Sequence, residues 1–275
     1  MSIPKIVVIN FTTDISDRKV QTVVRAVNRQ IIEDFMPTWG VGRELQLQAS
    51  SFDPTLDEDI LKEDIVRGSA ALYLVDEATV QGAMGYHALN NSGVPYGFVY
   101  TNLSNGDDWS VTLSHEALEL ILDPNVNALV IGPDPEGSND TVLHTYEVCD
   151  AVERTSYFID EIEVSNFVTP AYFTSGDELG TRNDFLGMGV TSFGALKNCH
   201  LAYLHLNQGW KTYFGESNIA VNKTRNDFIR SKCIDAWPDD KVLDDIINKC
   251  GNDKVRSLRR TGRHQKLFPD QMINR

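Results

Sequence analysis

The segment Ser114–Pro124, SHEALELILDP, brings His115, Glu116 and Glu119 within five residues of one another in an otherwise apolar run. If the run is helical, His115 and Glu119 share a face, and an imidazole nitrogen and a carboxylate oxygen can converge on one point. Glu116 follows His115 by about 100° of rotation and can touch a group held there. Zn²⁺ accepts both donor types, and in a catalytic site it keeps one position for water. The ion lowers the pKa of that water to about 7, and a neighbouring carboxylate takes its proton during attack on a carbonyl. The spacing therefore fits a zinc-dependent hydrolase with His115 and Glu119 as metal ligands and Glu116 as catalytic base. The motif is HExxE, not HExxH. A second carboxylate ligand makes the ion less Lewis-acidic and leaves Mn²⁺ open beside Zn²⁺. With 6 His and 14 Glu in the chain, chance yields HExxE about once in sixty such sequences. The plain alternative is a buried His–Glu pair plus one exposed Glu on a core helix.

A third ligand is needed, and three acidic residues offer themselves. Asp123 lies eight residues beyond His115, about 12 Å of helical rise, so it reaches the same point only if the helix breaks first. Glu147 and Asp150 lie in YEVCDAVE, whose strand-like alternation sends them to opposite faces. One of the two then faces the helix, Glu147 ahead of Asp150. Solvated carboxylates on a strand are the plain alternative.

The elements that must position these groups can be read on either side. Lys5–Asn10 is a short β-branched run suited to a buried strand, and Ser16 can cap a helix through Val20, Val23, Val24, Val27, Ile31 and Phe35. Pro37 and Gly40 are expected to stop it. Glu44–Ala49, Ala70–Val75 and Val94–Thr101 read as strands, and Val80–Leu89 as a short helix closed by Asn90-Asn91-Ser92-Gly93. Asp108–Leu122 is apolar on nearly every side, which places that helix in the core. Asp123-Pro124 ends it. The second half changes character. Ile131–Asp140 is a loop by composition, and Gly132–Asp140 lacks the spacing of a calcium loop. Thr145–Val152 and Tyr157–Ile162 read as strands, and Leu201–Leu206 with Trp210–Phe214 as a hairpin. From Glu216 the pattern is helical again. The fold class expected is α+β: a mixed sheet with a buried helix, then β-hairpins, then a helical C-terminal extension.

Charge excludes several functions. Acidic residues number 39 and basic residues 25, a net of −14. Phosphate contacts need clustered Lys and Arg, so general nucleic-acid binding by the body is not expected. The basic residues concentrate in Lys254, Arg256, Arg259, Arg260, Arg263, Lys266 and Arg275. Against Asp253 and Asp270 they give the last 25 residues +5 and leave −19 for residues 1–250. Such a tail folds onto the acidic body or reaches an acidic or assembly partner. No membrane segment or signal peptide is read in the sequence. Cys149, Cys199, Cys233 and Cys250 form no CxxC pair and read as reduced core thiols.

Four blocks in order, GYHALNNSGVPYGFVY, WSVTLSHEALELILDP, YEVCDAVE and VSNFVTPAYF, resemble a family of phage- and bacteria-associated proteins described as zincin-like metallopeptidases. The resemblance covers about Lys5 to Phe214, so a zincin-like domain over residues 1–215 and a separate extension over 216–275 are expected. It implies a mixed sheet whose edge strand precedes the active-site helix and aligns an extended substrate. Val94–Thr101 matches that strand by position, and Gly97 would admit a close backbone. It also carries the roles of His115, Glu116 and Glu119 over onto the motif.

The leading expectation is a peptidase of the cytoplasm acting on a peptide or protein substrate. The second is a non-catalytic structural component of a phage particle or other assembly, built on the same scaffold. His87, His144, His200 and His205 could assist a site, and Tyr146, Tyr157 or Tyr172 could stabilise an oxyanion. Core or surface placement is the simpler expectation for each. Ser114 lacks the flanking glycines of a nucleophile elbow.

Overall fold

Ser16 opens the first helix as expected: its side chain accepts from the Lys19 N–H, and α1 runs Asp17–Gln30 with Val20, Val23, Val24 and Val27 buried. Pro37 does not stop it. The helix widens into a π turn over Ile31–Phe35, where the Met36 N–H reaches Ile31 O, and continues as α2, Met36–Trp39. Widening moves the Glu33 carbonyl away from the proline ring, which in a regular helix would collide with it. Gly40, at φ +72°, then ends the helix.

The structure, a computed structural model, describes residues 5–48, 69–78, 83–90, 93–102, 109–174 and 181–215. The expected helical extension over 216–275, with its basic tail, lies outside them. The described residues fall into two compact units: those up to Val126 with Thr155–Asn166, and Asn127–Arg154 with those from Phe167 onward. The content is α+β. No helix among the described residues is long and apolar enough to cross a membrane.

The first unit is a five-stranded mixed sheet with helices. Its strands are β1 (Ile6–Asn10), β2 (Leu45–Gln48), β3 (Ala70–Val75), β4 (Gly85–Leu89) and β5 (Pro95–Tyr100), in the order β2-β1-β3-β5-β4. The pairings β1–β2, β1–β3 and β3–β5 are parallel, and β4 runs antiparallel to β5. β3 and β5 are buried along nearly their whole length, as interior strands of a covered sheet must be.

Two expectations change here. Gly85–Leu89 is a strand, not part of a helix. Val94–Thr101 supplies β5, an interior strand, so the edge beside it is β4 instead. The physical reason is the set of contacts back to Asn90, where Gly93 N–H, at φ +71°, donates to Asn90 O and Val94 N–H to Asn90 Oδ1, bringing the two runs together as a hairpin.

Helix α3, Trp109–Leu122, packs on β9, β5, β4 and β3. β8 (Ser156–Ile159) and β9 (Ile162–Ser165) form a hairpin closed by Asp160 and Glu161, both at positive φ, the backbone of a type I′ turn. Two hydroxyls fasten α3 to β9: Ser110 Oγ donates to Glu163 O at 2.7 Å, and Ser114 Oγ accepts from Ser165 N–H at 2.6 Å. From α1, Gln30 Nε2 donates to Ser165 O at 2.7 Å. Both backbone groups of Ser165 are thus satisfied by buried side chains from two helices, which fixes α1 and α3 about the hairpin.

The second unit is built on a four-stranded antiparallel sheet, β11-β10-β7-β6, from β6 (Leu129–Pro133), β7 (Thr141–Thr145), β10 (His200–His205) and β11 (Gly209–Phe214). The stretch expected as a loop over 131–140 begins inside β6 and turns at Asp134, whose carboxylate accepts from Glu136 N–H and Ser138 Oγ. The strand expected over Thr145–Val152 ends at Thr145; Asp150–Val152 is a 3₁₀ turn in which Val152 N–H returns to Cys149 O. Cys149 and Cys199 are buried as thiols.

Candidate metal centre

The helix face expected from HExxE is present. α3 is regular through the motif and ends with Asp123 N–H on Glu119 O at 2.8 Å. Asp123 therefore stays about 12 Å along the axis from His115, because the break that would bring it back does not occur. His115 Nε2 lies 3.3 Å from Glu119 Oε2, the convergence that four-residue spacing allows. Glu116 and Glu119 are 4% and 1% exposed, whereas the His115 side chain is 15% exposed.

His87, one of four histidines the sequence offered as assistants to a site, joins the helix carboxylates in a cluster. His87, fully buried on β4, places Nδ1 at 2.8 Å from Glu116 Oε2 and at 3.6 Å from Glu119 Oε2. With Glu116 ionised its oxygens only accept, and Nδ1–H is then the donor of the shorter contact. His87, Glu116 and Glu119 each offer one donor atom, all within 4.8 Å of one another, a set that can hold a metal ion. Its chemistry suits one: two carboxylates taken out of water need positive charge nearby, and a divalent cation supplies it.

Two glycines make this approach possible. Gly97 sits opposite His87 in the β4–β5 register, and a Cβ there would meet Leu72 Cδ2 and Tyr86 O at 2.7 Å and His87 Cβ at 3.3 Å. Gly85 lies two residues before His87, on the same face of β4. A Cβ on it would meet Thr112 Cγ2 at 2.7 Å and Glu116 Oε1 at 3.1 Å. Bare backbone at Gly85 lets α3 settle against the edge strand. Tyr73, Tyr86, Tyr96, Phe98 and Tyr100 occupy the alternate positions, where Phe98 stacks with Tyr73, Tyr86 and Tyr100, and Tyr96 meets Tyr86 edge-on.

Glu147 and Asp150, the sequence candidates for a third ligand, belong to the second unit. The alternation that set them on opposite faces does not apply, because the chain from Tyr146 is a loop and a 3₁₀ turn. Within that unit, buried His200 lies between two carboxylates, with Nε2 3.4 Å from Asp150 Oδ2 and Nδ1 3.0 Å from Glu153 Oε1. The remaining assistants divide. His144 is core, tilted against Phe193 and stacked on Tyr203, and its Nε2–H donates to Pro133 O at 2.8 Å. Burial pushes its pKa down to about 4, so it is neutral at pH 7. His205 Nε2 lies 3.2 Å from Asp140 Oδ2. Tyr172 OH donates to Gly194 O, and burial raises its pKa well above the usual tyrosine value. Tyr157 OH donates to Asp34 Oδ2 in the first unit. Ser114 is tied to β9 and plays a structural part.

His87 was legible in one respect. Asn-Asn-Ser-Gly between two apolar runs is a hairpin signal. Reading 85–100 as a hairpin puts His87 and Gly97 side by side on the face that α3 covers.

No protein-family model matches the chain, and no curated protein matches it.

Proposed function

We propose that the chain is a zinc-dependent hydrolase of peptide bonds, in which α3 supplies His115 and Glu119 as metal ligands and Glu116 as the base. The observation that carries this reading is the 3.3 Å approach of His115 Nε2 to Glu119 Oε2, at the more exposed side of a buried pair of carboxylates. Imidazole and carboxylate are donors that Zn²⁺ takes, and a catalytic site needs a side open to water. When bound, Zn²⁺ supplies a Lewis acid that polarises the scissile carbonyl and acidifies the attacking water. Glu116 takes the proton from that water on its carboxylate and passes it to the leaving amine.

A zincin-like scaffold belongs to this reading. Its support is a mixed sheet whose antiparallel edge strand, β4, lies beside the helix that bears HExxE. An extended peptide can add to such an edge through main-chain hydrogen bonds. Metal analysis tests the reading. Purified full-length protein should carry about one equivalent of Zn²⁺. Its cleavage of casein should be lost on chelation and restored by Zn²⁺. No bound transition metal at neutral pH overturns it.

One observation favours a second reading. His87, Glu116 and Glu119 are nearly fully buried, and a closed set of protein ligands suits a structural ion without turnover. That reading fits a non-catalytic component of a phage particle or other assembly, with the basic tail as its contact to a partner. The two differ in what Glu116 does, ligand or base.

A further inference from the structure

Glu116 and Glu119 are two buried carboxylates three residues apart on one helix, chemically equal as metal ligands. The hydrolase reading needs them to differ. Their surroundings provide the difference. Glu119 directs Oε2 towards His115, at 3.3 Å. Glu116 turns both oxygens to β4: Oε2 receives the His87 Nδ1–H at 2.8 Å, and Oε1 sits where a Cβ on Gly85 would lie only 3.1 Å away. The His87 hydrogen bond is selective, since its distance to Glu119 Oε2 is 3.6 Å, beyond hydrogen-bond length.

We infer that His87 is a positioning residue that holds the Glu116 carboxylate against the edge strand, keeping it off the metal and available as the base; this rests on the hydrolase reading above. The ring is fixed for that purpose. It is fully buried on β4, beside the space left by Gly97, and the β4–β5 register sets its height along α3. Because β4 is also the edge strand, the same residue ties the base to the strand along which a peptide would lie. A charge-assisted hydrogen bond to a buried carboxylate fixes its rotamer as well as stabilising it.

The test uses the full-length chain, His87→Ala and His87→Gln, each titrated with Zn²⁺ against a chromophoric chelator and assayed on casein. If His87 positions Glu116, both variants keep one Zn²⁺, bound as tightly as by the wild type or more tightly, since a released Glu116 can add to the coordination. In His87→Ala, kcat falls by about 10²- to 10⁴-fold with KM nearly unchanged, the range expected when a general base is lost. His87→Gln, whose amide can still donate to Glu116, recovers at least part of kcat. A loss of Zn²⁺ affinity of about tenfold or more in both variants makes His87 a ligand and overturns the inference. Should His87→Ala fail to fold, His87→Gln decides alone, because glutamine replaces the donor but is a poor zinc ligand. A wild type that takes up no Zn²⁺ overturns the hydrolase reading and this inference together. A wild type that holds Zn²⁺ while the variants lose it overturns only the role of His87.

Discussion

His115 Nε2 and Glu119 Oε2 stand 3.3 Å apart across one turn of α3, with Glu119 almost wholly buried and His115 at the edge of the cluster. Glu119 also faces His87, so it lies between two imidazoles. As a ligand it should be the least replaceable residue of the site. Glu119→Gln is expected to lower Zn²⁺ affinity by about 100-fold or more, read by competition with a chelator. His115→Ala should lower it as well. Unchanged affinity in Glu119→Gln would remove this carboxylate from the centre.

Gly85 tests the packing that delivers Glu116. A methyl group there would stand 2.7 Å from Thr112 Cγ2 and 2.8 Å from Phe98 O, distances that force α3 or β4 to move. Gly85→Ala should destabilise the protein by about 1–3 kcal/mol, as overpacked cores do, and reduce cleavage by displacing Glu116. Urea unfolding measures the first effect. An unchanged midpoint would mean that β4 does not approach α3 so closely.

Ser114 stands beside the motif but serves the scaffold. Removing its hydroxyl leaves the buried Ser165 N–H without its acceptor at 2.6 Å. Ser114→Ala should cost about 1–3 kcal/mol of stability while Zn²⁺ stoichiometry stays the same. A variant as stable as the wild type would show that the hydroxyl does not secure β9.

His144 gives the second unit an acid-sensitive core. Its folded pKa, about 4, lies below the unfolded value of 6.5 because burial penalises the cation. Above pH 6.5 both states are neutral and the full stability is present. As pH falls from 6.5 to about 4, the unfolded state binds a proton that the folded state refuses, and stability drops by about 3 kcal/mol in all. His144→Asn should be less stable at pH 7, having lost the ring packing on Phe193, but flatter across that window. Parallel pH profiles of the two proteins would refute this.

Local signals carried far in the first unit. Ser16 capped its helix and Gly40 closed it; the β-branched runs became strands; and apolar residues on all sides of Trp109–Leu122 gave a buried helix. The spacing of His115 and Glu119 was enough to place them together, because one helical turn is local geometry. His87 could be named only as one assistant among four histidines, because it lies 29 residues from Glu116 and a helical reading of 80–89 gave it no reason to face α3. Pairing between strands is non-local, and only the turn at Asn90–Gly93 hinted at it. The stretch Tyr146–Cys149 failed for a related reason: alternating apolar and polar residues mimic a strand, but the β6–β7 register ends at Leu129–Thr145 and the chain turns there into a loop. Pro37 misled because a π turn can absorb a proline that a regular helix cannot.

Zinc analysis of Glu116→Gln beside the wild type separates the roles of Glu116 and Glu119. The substitution keeps size and shape but removes the basic carboxylate. With Glu116 as the base, about one equivalent of Zn²⁺ is retained, as in the wild type, and cleavage of casein is abolished. Loss of the metal from Glu116→Gln would contradict that role, assigning Glu116 to the ligand set of a closed site.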